Sequence, residues 1–144
     1  MKNLVEWCES KNLHIVELDG QHKVIADTIN KLYHFLLLPE DGETNLEIRE
    51  FMALLIEETE SHFLCEERYM EECNYPDLKE HRREHLMLKA ELKEYSREVI
   101  KGKVKLNKKV LQALKNWLVS HIMCSDKDFA KHYHQHISNQ AKKN

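Results

Sequence analysis

The 144-residue sequence contains only three glycines and two prolines. These residues supply most tight turns, so their scarcity favours a few long helices over many short strands. No stretch approaches the ~20 consecutive apolar residues that a membrane-spanning helix needs. The N-terminus also lacks the apolar segment of a secretory signal, because Glu6, Glu9 and Lys11 interrupt it. We therefore expect a helical, cytoplasmic protein with no membrane partner.

The charge of the chain is nearly balanced. The net charge is −3, and charged residues make up 33% of the sequence. Such a mild charge gives no reason to expect a nucleic-acid partner. The lysine-rich stretch 101–109 has no aromatic residues between its lysines and contains Gly102, so we interpret it as an exposed loop. The length fits one domain, and we expect residues 1–144 to form a single, monomeric domain.

None of the four cysteines has CxxC spacing; they are Cys8, Cys65, Cys73 and Cys124. The usual cysteine-based zinc and dithiol motifs are therefore excluded. In a reducing cytosol these residues are expected to be free thiols, although sequence alone leaves one disulfide open. Cys65 and Cys124 lie close in sequence to the candidate ligands described below, which leaves a redox role open for them.

Turn and capping residues divide the chain into four helices, which we predict at about residues 19–38, 44–73, 77–101 and 107–132. Each predicted start carries a good N-cap residue, namely Asp19, Thr44, Asp77 or Asn107. Thr44 and Asp77 are each followed three residues later by Glu, which completes a capping box. Short links between long helices predict an all-α, up-down-up-down antiparallel four-helix bundle, with residues 1–18 as an N-terminal arm.

Histidine is unusually frequent, with ten in the chain. His62 and Glu66 are four residues apart on the second predicted helix, and His81 and His85 are four apart on the third. Residues at this spacing project from one face of a helix, so both members of a pair can reach one ion. In an antiparallel bundle, the two pairs lie at the same end. The start of the first helix and the later half of the fourth helix also lie at that end. Those two segments carry the single histidines His22 and His121. If the bundle bound no metal, the presence of all these side chains at one end would have to be a coincidence.

These residues carry a resemblance to the hemerythrins, and especially to their single-domain bacterial members. The matching segments are LDGQHK at 18–23, HFLCEE at 62–67, Tyr75-Pro76, HRREH at 81–85 and WLVSHIMCSDK at 117–127. The resemblance implies reversible dioxygen binding at a non-haem di-iron centre. The implied ligands are His22, His62, Glu66, His81, His85, His121 and Asp126. Asp126 rests on the resemblance alone, because five residues of α-helix would rotate it by about 140° from His121.

The resemblance also implies how the ligands are divided. One iron would take His81, His85 and His121, and the other would take His22 and His62. Glu66, Asp126 and a solvent-derived oxygen would bridge the two ions, which leaves one open position on the two-histidine iron. An apolar pocket for dioxygen is implied by five residues next to these ligands, namely Ile25, Phe63, Trp117, Leu118 and Ile122. Ligand type alone would also admit manganese or zinc.

Several functions stay open at this point. We expect a binding protein for oxygen storage, delivery or scavenging rather than an enzyme. The alternatives are a di-iron enzyme that reduces peroxide or nitric oxide, and a sensor of oxygen or nitric oxide. Nitric oxide is also an alternative ligand. His14 and His34 are poor ligand candidates, and we interpret His132, His134 and His136 as a solvated tail that could at most hold Zn²⁺ or Ni²⁺ weakly.

Overall fold

The fold is known from a computed structural model that describes residues 2–38, 42–102 and 105–143. These described residues form five α-helices: α1 (Val16–Leu36), α2 (Gly42–Glu72), α3 (Leu78–Ile100), α4 (Lys108–His121) and α5 (Lys127–Lys143). A five-residue π-helix, Ile122–Asp126 (π1), joins α4 to α5 with helical backbone angles at both junctions. The segment α4–π1–α5 is therefore one long helical rod, and the all-α four-helix bundle predicted above is confirmed.

The bundle is held together by apolar side chains on facing helices. Helix α1 packs against α2 and α4, α2 packs against α3, and α5 packs against α2. The fully buried side chains of this core include Leu18, Ile25, Ile29, Leu32, Met52, Leu55, Met70, Leu92, Leu111, Ile122 and Phe129. Burying one side chain of this size contributes about 1.5–3 kcal/mol. In the described part of the chain, no helix has both the length and the hydrophobicity that a bilayer crossing requires.

The predicted start of the first helix at Asp19 is wrong. Helix α1 begins at Val16, and Asp19 lies one turn inside it. Its buried carboxylate instead accepts hydrogen bonds from the backbone N–H groups of Leu13 and His14, at 2.7 and 2.9 Å. His14 has a φ of 61°, so the chain turns sharply there before it enters the helix. Asp19 therefore holds the arm against the first helix instead of capping it.

The other helix ends follow the sequence more closely. Helix α2 ends in a Schellman motif, in which Asn74 has a φ of 53° and the Tyr75 N–H reaches the Met70 carbonyl at 2.9 Å. Gly102, with a φ of 72°, ends α3 in the same left-handed conformation. Asn107 caps α4 by accepting from the Val110 N–H at 2.9 Å.

The remaining two caps differ from the prediction or cannot be compared with it. Asp77 occupies the N-cap position of α3, but its side chain makes no capping hydrogen bond. Helix α2 begins at Gly42, and the Thr44 side chain, predicted as its cap, lies outside the described residues.

Two of the three C-terminal histidines are hydrogen-bonded to the bundle, so the interpretation of a solvated tail is wrong for His132 and His134. Helix α5 continues to Lys143 and packs back on the bundle through Phe129 and Ala130. His132 hydrogen-bonds through Nε2 to the Cys73 carbonyl at 2.9 Å, and His134 does the same to the Leu13 carbonyl at 2.8 Å. These contacts tie α5 to the α2–α3 turn and to the N-terminal arm. The cysteines are free thiols, as expected.

Candidate metal centre

Seven buried nitrogen- and oxygen-bearing side chains meet inside one end of the bundle. They come from every part of the four-helix frame: His22 (α1), His62 and Glu66 (α2), His81 and His85 (α3), His121 (α4) and Asp126 (π1). Within the described residues, two groups of His, Cys, Asp or Glu could hold a metal ion, and these seven side chains form both. In each group, the ligand atoms all lie within 4.8 Å of one another.

The two groups are unequal and share their carboxylates. The three-histidine group contains His81, His85 and His121, and the two-histidine group contains His22 and His62. Glu66 and Asp126 belong to both groups. Two neighbouring ions bridged by two carboxylates would use such a donor set fully. The division of donors has the form that the sequence resemblance implied.

Glu66 lies at the middle of the cluster. One of its carboxylate oxygens is 2.7 Å from His81 Nε2 and 3.1 Å from His85 Nε2. The other oxygen is 3.3 Å from His62 Nε2 and 4.0 Å from His22 Nε2. Each oxygen thus faces a different histidine group, as a bridging carboxylate must.

The π-helix explains how Asp126 reaches the cluster. The Asp126 carboxylate is 3.0 Å from His121 Nε2 and 3.1 Å from His22 Nε2. In a π-helix the hydrogen-bond repeat is i→i+5, so residues five apart lie on one face, as residues four apart do in an α-helix. The sequence reasoning assumed α-helical geometry, and this is why helical spacing alone did not nominate Asp126. Single-turn π-bulges are frequent at functional sites.

Several donor atoms in the cluster are buried without a hydrogen-bond partner. They are Nε2 of His22, His62 and His121, Oε2 of Glu66 and both carboxylate oxygens of Asp126. Such orphaned atoms are rare in folded proteins and cost about 1–3 kcal/mol each. Here they face one another at short range without hydrogen-bond geometry. This is the arrangement of lone pairs that share an ion, so the donor set fits two imidazole- and carboxylate-ligated metal ions.

Polar partners behind the histidines orient three of the rings. The Nδ1 atom of His121 lies 2.7 Å from a Glu84 carboxylate oxygen, and that of His85 lies 3.2 Å from Glu67. The Nδ1 atom of His62 lies 2.7 Å from the amide oxygen of Gln21. A proton on Nδ1 leaves the lone pair on Nε2, which points into the cluster in each case.

Sequence reasoning missed these three supporting residues. Each of them is adjacent in sequence to a candidate ligand: Gln21 precedes His22, Glu67 follows Glu66, and Glu84 precedes His85. That adjacency was an available signal. A residue next to a ligand on a helix points away from the ligand's own face, however, so it supports a histidine on a neighbouring helix. Only the packing of the helices shows which histidine that is.

Without metal, the cluster balances its charges with protons. Burial acts to lower the pKa of His81, but Asp126 and Glu66 outweigh it and raise that pKa to about 9. For His121, burial is likewise outweighed, mainly by Asp126, and the pKa rises to about 12. Burial acts to raise the pKa of Asp126, but His121 and His22 bring it down to about 2. At neutral pH the metal-free site therefore holds ionised Glu66 and Asp126 together with protonated His81 and His121.

Metal affinity should consequently increase with pH. Between about pH 6.5 and 9, an incoming ion must displace the protons held by His81 and His121. Each displaced proton makes the affinity rise by about tenfold per pH unit. We expect this slope in Zn²⁺ titrations of the metal-free protein against a chromophoric chelator, corrected for the chelator's own protonation. An affinity that stays flat from pH 6.5 to 8.5 would contradict the proton displacement.

The five residues expected to line a dioxygen pocket are all close to the cluster residues in sequence. In the structure they differ in burial and in the histidines that they approach. Ile25, Leu118 and Ile122 are buried, and Trp117 is partly buried. Phe63 stacks flat on the ring of His85, with centroids 3.8 Å apart, while the His62 ring is 5.9 Å away. Phe63 therefore covers mainly the three-histidine group, although it directly follows His62 in the sequence. The ring centroid of Trp7, from the arm, lies 6.2 Å from that of His22.

The fold and the buried histidine–carboxylate cluster define a helical-bundle protein with a candidate dinuclear metal site. Residues 13–133 match the family model of the hemerythrin HHE cation binding domain. Bacteriohemerythrin from Stenotrophomonas maltophilia is 27% identical over 96% of this chain and 88% of its own length. Bacteriohemerythrin from Pseudomonas aeruginosa is 30% identical over 88% of this chain and 78% of its own length.

Solved structures give the same result. A crystal structure of wild-type hemerythrin matches with a TM-score of 0.82 at 27% identity, and the match covers 90% of this chain and 98% of that one. A crystal structure of a hemerythrin variant matches with a TM-score of 0.83 at 26% identity. The chain belongs to the hemerythrin family. The matched region contains all seven residues of the cluster.

Proposed function

We propose that this chain binds dioxygen reversibly at a non-haem di-iron centre. The observation that carries the proposal is the pair of buried donor groups that share Glu66 and Asp126 in a hemerythrin-family bundle. The proposed ligands are those seven side chains, His22, His62, Glu66, His81, His85, His121 and Asp126. When bound, two ferrous ions would supply the electrons that dioxygen takes up on binding and returns on release.

The protein's own part is to hold the ions close together and to keep water away from them. The donor atoms come from four separate helical segments, so the packing of the bundle fixes their spacing. Six of the seven ligand residues are at most 4% exposed, and His121 is 5% exposed. Such burial would keep bulk water and outside acids away from the ions, so few protons would reach dioxygen bound there. This favours reversible binding over peroxide or nitric oxide reduction, and we propose a carrier or scavenger rather than an enzyme.

The two donor groups differ in their number of histidines, so we expect them to bind their ions with different strength. The two-histidine group offers one imidazole fewer, so the ion there should be lost first. We expect His62→Ala to release one iron more readily than His81→Ala does, because it strips the site that is already short of a ligand. Iron released to a colorimetric chelator over time measures this. Faster loss from His81→Ala would contradict the proposed division of the ligands.

The proposed function is tested by cycling the reduced, iron-loaded protein between air and argon while its visible spectrum is recorded. We expect an absorption band to appear in air and to disappear under argon over repeated cycles. Catalytic consumption of peroxide or nitric oxide with an electron donor, without a reversible band, would support the enzyme alternative instead. His132→Ala serves as a control, since His132 lies outside both donor groups and should leave the cycle unchanged.

The wider setting is also part of the proposal. We propose that residues 1–144 act as one hemerythrin-type domain in the cytoplasm, as a monomer, in oxygen storage, delivery or scavenging. A sensor of oxygen or nitric oxide would use the same site. Gel filtration of the iron-loaded protein in air and under argon distinguishes a monomer from an assembly that responds to the ligand.

A further inference from the structure

The two halves of the candidate centre differ in the charge of the groups behind their histidines. In the three-histidine group, His85 and His121 are backed by the carboxylates of Glu67 and Glu84. In the two-histidine group, His62 is backed by the amide oxygen of Gln21, at 2.7 Å. An amide accepts the Nδ1 proton as a carboxylate does, but it adds no negative charge.

The role of His62 as a ligand fixes which group of the Gln21 amide it meets. An Nε2 lone pair that ligates a metal ion leaves the ring proton on Nδ1, so Nδ1 can only donate. The Gln21 atom that lies 2.7 Å from Nδ1 is the amide oxygen, which accepts this proton.

We propose that Gln21 is a positioning residue that fixes the ring of His62 with a neutral partner and keeps the two-histidine position less electron-rich than the three-histidine position. The proposal rests on the proposed function in that His62 must ligate a metal ion. A carboxylate behind a ligating imidazole makes that imidazole a stronger donor, and a stronger donor stabilises the higher oxidation state. The neutral Gln21 amide does not strengthen His62 as a donor in this way. The two-histidine position also has one histidine ligand fewer than the other position.

Two substitutions separate the role in orientation from the role in charge. Gln21→Glu keeps an acceptor for the His62 Nδ1 proton and adds a charge, whereas Gln21→Leu removes the acceptor. Gln21 is only partly buried and borders an open groove between α1 and α2, so a carboxylate there stays hydrated and the fold tolerates it. Gln112→Glu is the matched control, since it adds the same charge nine residues before His121, about 13 Å along the helix.

Orientation is measured in the zinc-loaded protein, which is diamagnetic, by nitrogen-15 NMR of the histidine rings. We expect a slowly exchanging Nδ1–H signal for His62 in the unmodified protein and in Gln21→Glu. In Gln21→Leu this signal should be lost to exchange with water. A protected signal that persists in Gln21→Leu would overturn the positioning role.

Charge is measured as the reduction potential of the iron-loaded protein by spectroelectrochemistry. We expect a shift to lower potential in Gln21→Glu and no such shift in Gln112→Glu. Equal potentials in these two variants would overturn the proposal even if the unmodified protein binds oxygen reversibly. Conversely, a protein that holds two ions but never binds oxygen reversibly would contradict the proposed function, while the Gln21 shift would still stand.

Discussion

Replacing Glu66 with alanine is expected to abolish binding of both metal ions. Glu66 is fully buried, and its two oxygens face different histidine groups, at 2.7 Å from His81 and 3.3 Å from His62. Its removal takes one ligand from each ion and breaks a bridge between them. Iron per chain after anaerobic reconstitution should fall from about two toward zero, since the pair is held by shared carboxylates.

Two further variants make this result specific. Glu66→Gln keeps the size of the side chain and removes its charge, so it should also lose iron while circular dichroism shows an intact helical fold. Glu60→Ala, on the same helix, removes a carboxylate that pairs with Lys93 outside the cluster and should leave the iron content unchanged. Full iron occupancy in both Glu66 variants would show that Glu66 is not a bridge.

Removing the metal should destabilise the protein by more than any single surface substitution does. The metal-free bundle buries five histidines and two carboxylates at one end, and six of their ligand atoms have no hydrogen-bond partner. Structural zinc sites contribute about 10–16 kcal/mol of binding free energy to folding. With part of that offset by proton displacement, we expect the free energy of unfolding to fall by at least about 5 kcal/mol. Urea denaturation of the loaded and metal-free forms under argon measures this difference.

The metal-free form should also show a distinctive pH dependence. The pKa of His81 is raised to about 9 and that of His121 to about 12, so folding favours their protonated forms. The stability that these protons provide is fully present below about pH 6.5 and is lost as the pH rises through 9. The metal-free protein should therefore be less stable at pH 9 than at pH 6.5, whereas metal affinity rises over the same interval.

Equal stability of the loaded and metal-free forms at neutral pH would contradict a buried metal site.

The helical frame and most of the cluster could be predicted because they depend on local spacing. His62 with Glu66 and His81 with His85 are one helical turn apart, and the antiparallel order of the helices places both pairs at the same end. Asp126 could not be derived in this way. The segment Ile122–Asp126 contains no Gly or Pro to mark a break, so nothing local signals the π-helix that brings Asp126 to His121.

Long-range packing accounts for the other differences. Asp19 has the residue type and position of a helix cap, yet the arm folds back so that its carboxylate accepts from Leu13 instead. The histidines from His132 onward resemble a polar tail in sequence, but Phe129 anchors their helix in the core. Gln21 was not singled out, because its role depends on how α1 packs against α2.

The most direct test of the proposed centre is anomalous diffraction at the iron absorption edge from crystals of the iron-loaded protein. We expect two iron peaks inside the bundle, one among His81, His85 and His121 and the other beside His22 and His62. Glu66 and Asp126 should lie between the two peaks. A single peak, or iron located outside this cluster, would contradict the proposed di-iron centre.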